Sequence, residues 1–159
     1  MASVPSARYG VPSLIVFILF AAVAAVFGSS FHPGAWFAAL AKPEWNPPNQ
    51  LFAPVWTVLY LMMAVAGWRV WRATGRMVPA LHVWGAQLIL NGLWSFTFFG
   101  LHRIDIALVD ISVLLVLIMG FVVTARRYSL LASWLFVPYA AWVGFATALN
   151  FAIWRLNPG

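Results

Sequence analysis

Cysteine is absent from the 159 residues, and charge is scarce. Without thiols there are no disulfides, no thiolate metal sites and no cysteine nucleophile. Only three side chains are acidic: Glu44, Asp105 and Asp110. No His/Asp/Glu set has metal-ligand spacing, and no paired-carboxylate or Ser–His–Asp arrangement stands out. A glycine-rich phosphate loop is missing too. Charged residues make up 8% of the chain, where a soluble domain carries roughly a quarter. There is too little polar surface to coat a soluble particle.

What is present instead is 64% apolar residues, with ten tryptophans and thirteen phenylalanines. The charges sit between long apolar runs, the pattern of a polytopic membrane protein. The net charge of +6 does not point to nucleic acid. The nine basic residues lie at the ends of hydrophobic runs rather than in a phosphate-tracking stripe.

Five runs follow one another, over about residues 11–28, 50–72, 78–99, 105–125 and 129–154. Each is long enough to cross about 30 Å of hydrocarbon. The first is too long for a signal-peptide core and has no clear small-x-small cleavage site, so it is expected to be retained. Continuously apolar runs exclude a spanning β-barrel, whose strands alternate. Short turns after the first loop predict an antiparallel five-helix bundle, all-α and one domain over 1–159. No internal repeat is evident, which argues against a duplicated transporter fold.

The first loop is long, and long loops are often lids. Within it, Gly34–Leu40 predicts two helical turns with Trp36, Phe37 and Leu40 on one side. Pro43, Pro47 and Pro48 forbid helix further on. Asn49 is then the expected N-cap of the second span. Trp36 and Trp45 are the lid aromatics.

Five spans place the termini on opposite sides. Arg8, Arg69, Arg72, Arg76, Arg126 and Arg127 fall on the N-terminal side, against Lys42, Arg103 and Arg155 on the other. This bias predicts a cytoplasmic N-terminus, and the expected location is a bacterial cell-envelope membrane.

Polar groups inside spans call for a partner or a function. Gln87, Asn91, Trp94, Ser95 and Phe98 stack on one helical face. Asn91 either glues helices together or donates to a ligand carbonyl. In the last run Trp142, Ala146 and Leu149 share a face below Pro138, whose missing amide frees the carbonyl of Trp134 and predicts a kink. Asp110 shares a stripe with Ile106, Val113 and Leu117. It is either an ion-pair or capping group near Arg103 or a ligand contact. Trp56, Trp94 and Trp142, deep in three runs with Asn91, suit a flat aromatic or sterol-like ligand.

Several motifs carry a resemblance. They are Trp36-Phe37-Ala38-Ala39-Leu40-x-Lys42-Pro43-x-Trp45-x-Pro47-Pro48 and Pro54-x-Trp56-Thr57-x-Leu59-Tyr60, then Gln87-Leu88-x-Leu90-Asn91-x-x-Trp94 and Phe98-Phe99-Gly100. Ala107-Leu108-Val109-Asp110, Pro138-Tyr139-x-x-Trp142, Leu149-Asn150 and Trp154-Arg155 complete the set. In combination they resemble the TspO/MBR family of translocator proteins, peripheral-type benzodiazepine receptors and bacterial tryptophan-rich sensory proteins.

The resemblance implies a homodimeric five-helix bundle with a cavity under loop one and no resident cofactor. It implies binding of porphyrins, including protoporphyrin IX and haem, and of benzodiazepine and isoquinoline-carboxamide drugs. It puts ligand contacts at Ala53, Trp56, Asn91, Trp94, Ile106, Asp110, Trp142, Ala146 and Leu149. The sterol motif of the family reads Leu149-x-Phe151-x-x-x-Arg155, with phenylalanine in place of tyrosine, so poor sterol recognition is expected. His82 before Ala86 leaves the small-xxx-small dimer run incomplete. Three functions compete. One is a porphyrin-binding receptor or sensor; another is an enzyme degrading protoporphyrin with light and oxygen through Trp56 and Trp142; the third is a tetrapyrrole or sterol transporter.

Overall fold

The computed structural model describes residues 10–158. Its elements are α1 (Val11–Ser29), α2 (Ala35–Ala39), α3 (Phe52–Thr74), α4 (Pro79–Ser95), α5 (Ile104–Ala125) and α6 (Leu130–Leu156). No strand occurs among the described residues. Helices α1, α3, α5 and α6 are each long and apolar enough to cross a membrane. Helix α4 continues into a π-helical turn, Phe96–Gly100, and the two together make the fifth apolar rod. The chain is an all-α integral membrane protein.

Local chemistry sets the helix ends. Proline stands at the start of both α1 and α4, where the missing amide would have lacked a partner anyway. Gly75 ends α3 in the left-handed region at φ 62°, and its amide bonds to the Trp71 carbonyl. Ser129 caps α6 by accepting from the Ala132 amide at 3.2 Å. The N-cap expected at Asn49 is not formed. Asn49–Leu51 is instead a 3₁₀ turn that follows extended Pro48, and α3 begins at Phe52 without a side-chain cap. Pro54 takes the third helical position, so one orphan donor is removed rather than capped. Helix α6 runs without a break through Pro138.

Helix α1 packs on α3 and α4, α4 on α5, α5 on α6, and α6 on α3, which closes a ring. The main core lies between α3, α4, α5 and α6. There Met63, Val70, Ile118, Phe121, Phe136 and Tyr139 are fully buried. The Phe121 and Phe136 rings lie 3.9 Å apart between centroids, tilted by 34°. In α1 only Ala21 is buried.

Loop one lies across one end of the ring and is fastened at both sides. Trp36 stacks on His102 at 4.1 Å and meets Phe98 edge-on. Phe37 packs against Phe98 and Phe99. On the opposite side Asn157 exchanges two hydrogen bonds with the Ala41 backbone, both 2.9 Å. Trp45 meets Phe145 edge-on. Lys42 sits over the Phe37 ring and donates to the Leu40 carbonyl at 3.0 Å. At the far end of the bundle lie Arg69, Arg72, Arg76, Arg126 and Arg127; Arg8 lies outside the described residues.

Candidate functional site: a roofed aromatic cavity

A cavity of about 660 Å³ lies between α1, α3 and α4 beneath loop one. Each wall follows from its sequence. Helix α1 supplies small residues (Ala21, Ala22, Ala25 and Gly28), which leave space where larger side chains would fill it. Helix α3 supplies Phe52, Ala53, Trp56, Thr57 and Tyr60, one inner face at helical spacing. Helix α4 supplies Asn91, Trp94 and Ser95. The π turn then re-aims the chain: Phe98 is buried behind Trp94 while Phe99 reaches the cavity. The roof is Phe31, His32, Pro33 and Phe37, with Asn49 at the mouth.

Its polar floor is a chain of hydrogen bonds across three helices. The Tyr60 hydroxyl donates to Asn91 Oδ1. Asn91 Nδ2 donates to the Tyr139 hydroxyl at 2.8 Å, and that hydroxyl donates to Gln87 Oε1 at 2.9 Å. Nearby, Trp94 Nε1 donates to Asn150 Oδ1 at 3.0 Å, and Asn150 Nδ2 donates to the Ile104 carbonyl. Asn91 therefore serves the seam between helices while its side chain also borders the cavity.

The nine positions implied by the resemblance divide into two groups. Ala53, Trp56, Asn91 and Trp94 meet at this cavity. The other five do not reach it. Trp142 stands behind Phe52, with ring centroids 5.7 Å apart. It lines a separate apolar groove between α3 and α6 with Val58, Pro138 and Phe145. Its Nε1 is buried without a partner. Ala146 packs against the main core and Leu149 is buried beside Phe98 and Ile104. Ile106 is exposed. Asp110 has one carboxylate oxygen buried without a partner. The pair of Arg103 with Asp110 does not form. Arg103 instead makes a two-pronged bond to Asp105 at 2.9 and 2.6 Å, because Asp105 opens α5 right beside it. That carboxylate raises the pKa of Arg103.

The sterol-like residues do not share a face: Leu149 points inward, while Phe151 and Arg155 point outward. The lid residues differ as well. Trp36 is clamped on His102, whereas Trp45 is largely exposed. Among the described residues no group of three His, Asp or Glu side chains could hold a metal ion.

Sequence reasoning missed α1 as a wall. The signal was there, as small residues at positions 21, 25 and 28 on one helical face. Tyr60 and Thr57 were missed as cavity hydroxyls for a different reason: a hydroxyl in an apolar run gives no direction until its neighbours are known.

A membrane-embedded helical bundle with an aromatic cavity under a fastened loop defines the class. Comparison with known proteins narrows it. The model of the TspO/MBR family matches residues 14–155. Protein CrtK of Rhodobacter capsulatus is 39% identical over 147 residues, 91% of this chain and 92% of its own. The tryptophan-rich protein TspO of Chlorobaculum tepidum is 43% identical over 138 residues, 82% and 87% of the two chains. The human translocator protein is 37% identical over 139 residues, 83% and 82%. The chain belongs to the TspO/MBR family.

Proposed function

We propose that this protein is a membrane receptor or sensor that binds a porphyrin-type, flat hydrophobic ligand in the α1–α3–α4 cavity. The observation that carries this reading is the cavity itself. It is large enough for a drug-sized ring system. Phe37, Phe52, Trp56, Trp94 and Phe99 wall it with rings, and its polar groups are few. Rings stack on rings, and a small number of polar atoms fix orientation. The relatives called translocator protein and tryptophan-rich sensory protein lend support to a receptor role.

Protoporphyrin IX and haem are the ligands to try first, followed by benzodiazepine and isoquinoline-carboxamide compounds. The contacts we assign are Ala53, Trp56, Asn91 and Trp94, joined by Tyr60 and Phe99. A homodimer is the expected assembly, to be tested by crosslinking in bilayers. The arginine bias favours a cytoplasmic N-terminus, which a reporter near Gly75 tests by reading as cytoplasmic and one at the C-terminus by reading as periplasmic.

The deciding experiment is titration of purified protein with protoporphyrin IX in the dark, followed by tryptophan quenching and the porphyrin absorption band. Saturable single-site binding that is lost on filling the cavity supports the reading. Binding that ignores the cavity sinks it. A distinct porphyrin product formed over many turnovers under light would make the protein an enzyme instead.

A further inference from the structure

We propose that the α3 wall of the cavity selects ligands carrying an N–H or O–H donor on the edge they bury. This deepens the binding reading, since it concerns the same cavity, but it rests on hydrogen-bond polarity rather than on cavity size. Two hydroxyls lie one turn apart on that wall, Thr57 and Tyr60, and both line the cavity. A hydroxyl has one proton and two lone pairs. Thr57 gives its proton to the Ala53 carbonyl at 2.8 Å. That acceptor is a backbone oxygen of its own helix, so the sense of the bond is fixed. Tyr60 gives its proton to Asn91 Oδ1.

Asn91 accepts in that sense at the head of the relay behind it, whose last amide nitrogen, Gln87 Nε2, is buried without a partner. Asn91 Nδ2 is engaged by the Tyr139 hydroxyl, which in turn gives its proton to Gln87 Oε1. Asn91 and Gln87 are 5% and 0% exposed, out of reach of bulk water. With both protons committed, what Thr57 and Tyr60 turn toward a ligand is lone pairs. The polarity is opposite to the one expected from Asn91 alone, an amide donating to a ligand carbonyl. Ser95 on the α4 wall is near enough to matter: a Cβ added at Gly28 would lie 3.3 Å from Ser95 Oγ and 3.9 Å from the Tyr60 hydroxyl. Its hydroxyl can turn to serve either sense. His32 and Asn49 stand at the roof and mouth, away from this floor.

A buried acceptor without a donor is costly, so a matched ligand gains against one that presents only carbon or another acceptor. The test uses three flat tricyclic probes of nearly equal size: carbazole with one N–H, N-methylcarbazole with none, and fluorenone with a carbonyl. Their binding is measured on the full chain in detergent or nanodiscs. Carbazole should bind roughly three- to tenfold more tightly than N-methylcarbazole, although the added methyl favours the latter by burial. Its emission should shift to the red as the N–H is engaged.

The Tyr60→Phe, Thr57→Val double variant should lose both the preference and the shift. Should the Tyr60 change impair folding, Thr57→Val alone keeps the relay intact and should reduce the preference. Equal affinity for carbazole and its N-methyl form in the parent protein overturns the proposal. So does a preference for fluorenone, or a donor preference that survives in the double variant. The two readings fail separately. Porphyrin binding without donor preference removes this inference alone. Donor preference without porphyrin binding removes the porphyrin reading alone.

Discussion

The two halves of the ring are packed by different rules. Between α5, α6 and the adjoining faces of α3 and α4, large side chains are wholly buried, Phe121, Phe136 and Tyr139 among them. Between α1, α3 and α4, a 660 Å³ cavity remains and α1 buries only Ala21. In a bilayer the hydrophobic effect does not hold helices together, because lipid tails are as apolar as leucine. Van der Waals packing and interhelical hydrogen bonds must do it. The tight half has the packing. The open half has its α3 and α4 walls tied to each other and to α6 by the polar relay of Tyr60, Asn91, Tyr139 and Gln87, and a loop fastened overhead. Room for a ligand therefore coexists with a defined bundle.

The largest expected effect comes from truncating one phenylalanine in each half. Phe136→Ala should destabilise the protein by about 3–5 kcal/mol, the usual cost of emptying a filled aromatic site. Phe99→Ala, beside the existing cavity, should cost less than about half of that. Thermal unfolding of the two variants in one detergent checks the contrast. Equal losses would mean that the two halves are packed alike.

Asn91→Leu comes next. It strips the Tyr60 and Tyr139 hydroxyls of their shared partner. Tyr60 loses its acceptor, while Tyr139 keeps its bond to Gln87 Oε1 and loses only the Asn91 donor, so the cost should be about 1–3 kcal/mol. The loss should show in thermal stability as well as in ligand affinity. Weakened binding with unchanged stability would mean that Asn91 serves the ligand alone and that the relay holds nothing together.

Ala25→Phe reverses the logic by placing a ring on the small-residue wall of α1. Porphyrin affinity should fall by about tenfold or more as the space closes, while thermal stability holds or rises because α1 gains contacts. The same change at Ala22, also on this wall, should act in the same direction. A stability loss larger than the affinity loss would mean that α1 was already well packed.

Much of this architecture was legible in the sequence, and the reasons are physical. The spans were readable because hydrocarbon demands long apolar runs, and the boundaries came within a few residues. The aromatic lid helix was readable because Trp36, Phe37 and Leu40 share one side. Positions on a common helical face were readable too: Gln87, Asn91, Trp94 and Phe98 do point inward. What a single helix could not disclose is which neighbour it faces. Trp142 and Trp56 look equivalent along the chain, yet Phe52 stands between Trp142 and the cavity. The stripe of Asp110 likewise turns outward at Ile106 and Val113, while α5 buries Ala107, Ile111 and Leu114 instead. Nor could the sequence show that Asp105 would claim Arg103 before Asp110 could.

The smallest effect is the most discriminating, and it sets Trp56 against Trp142. Trp56 lines the cavity and packs near the Tyr60 and Tyr139 rings. Trp142 lines a different groove on the far side of Phe52. Phenylalanine keeps an aromatic face at either position, so affinity for protoporphyrin should change by about a kcal/mol or less. Fluorescence separates the two even so. A porphyrin stacked in the cavity quenches the nearest indoles most strongly. Trp56→Phe should therefore remove a large share of the ligand-dependent quenching. Trp142→Phe should leave the affinity and most of the quenching where they were. The same pair bears on the enzymatic alternative. Were Trp56 and Trp142 both redox partners of a bound porphyrin, replacing either indole by the less oxidisable phenyl ring would abolish light-driven turnover. A ligand held only between α1, α3 and α4 is indifferent to Trp142. Equal loss of quenching in both variants would place the ligand across the two halves, with Phe52 swung aside, and the division between a packed half and an open half would fail in the bound state.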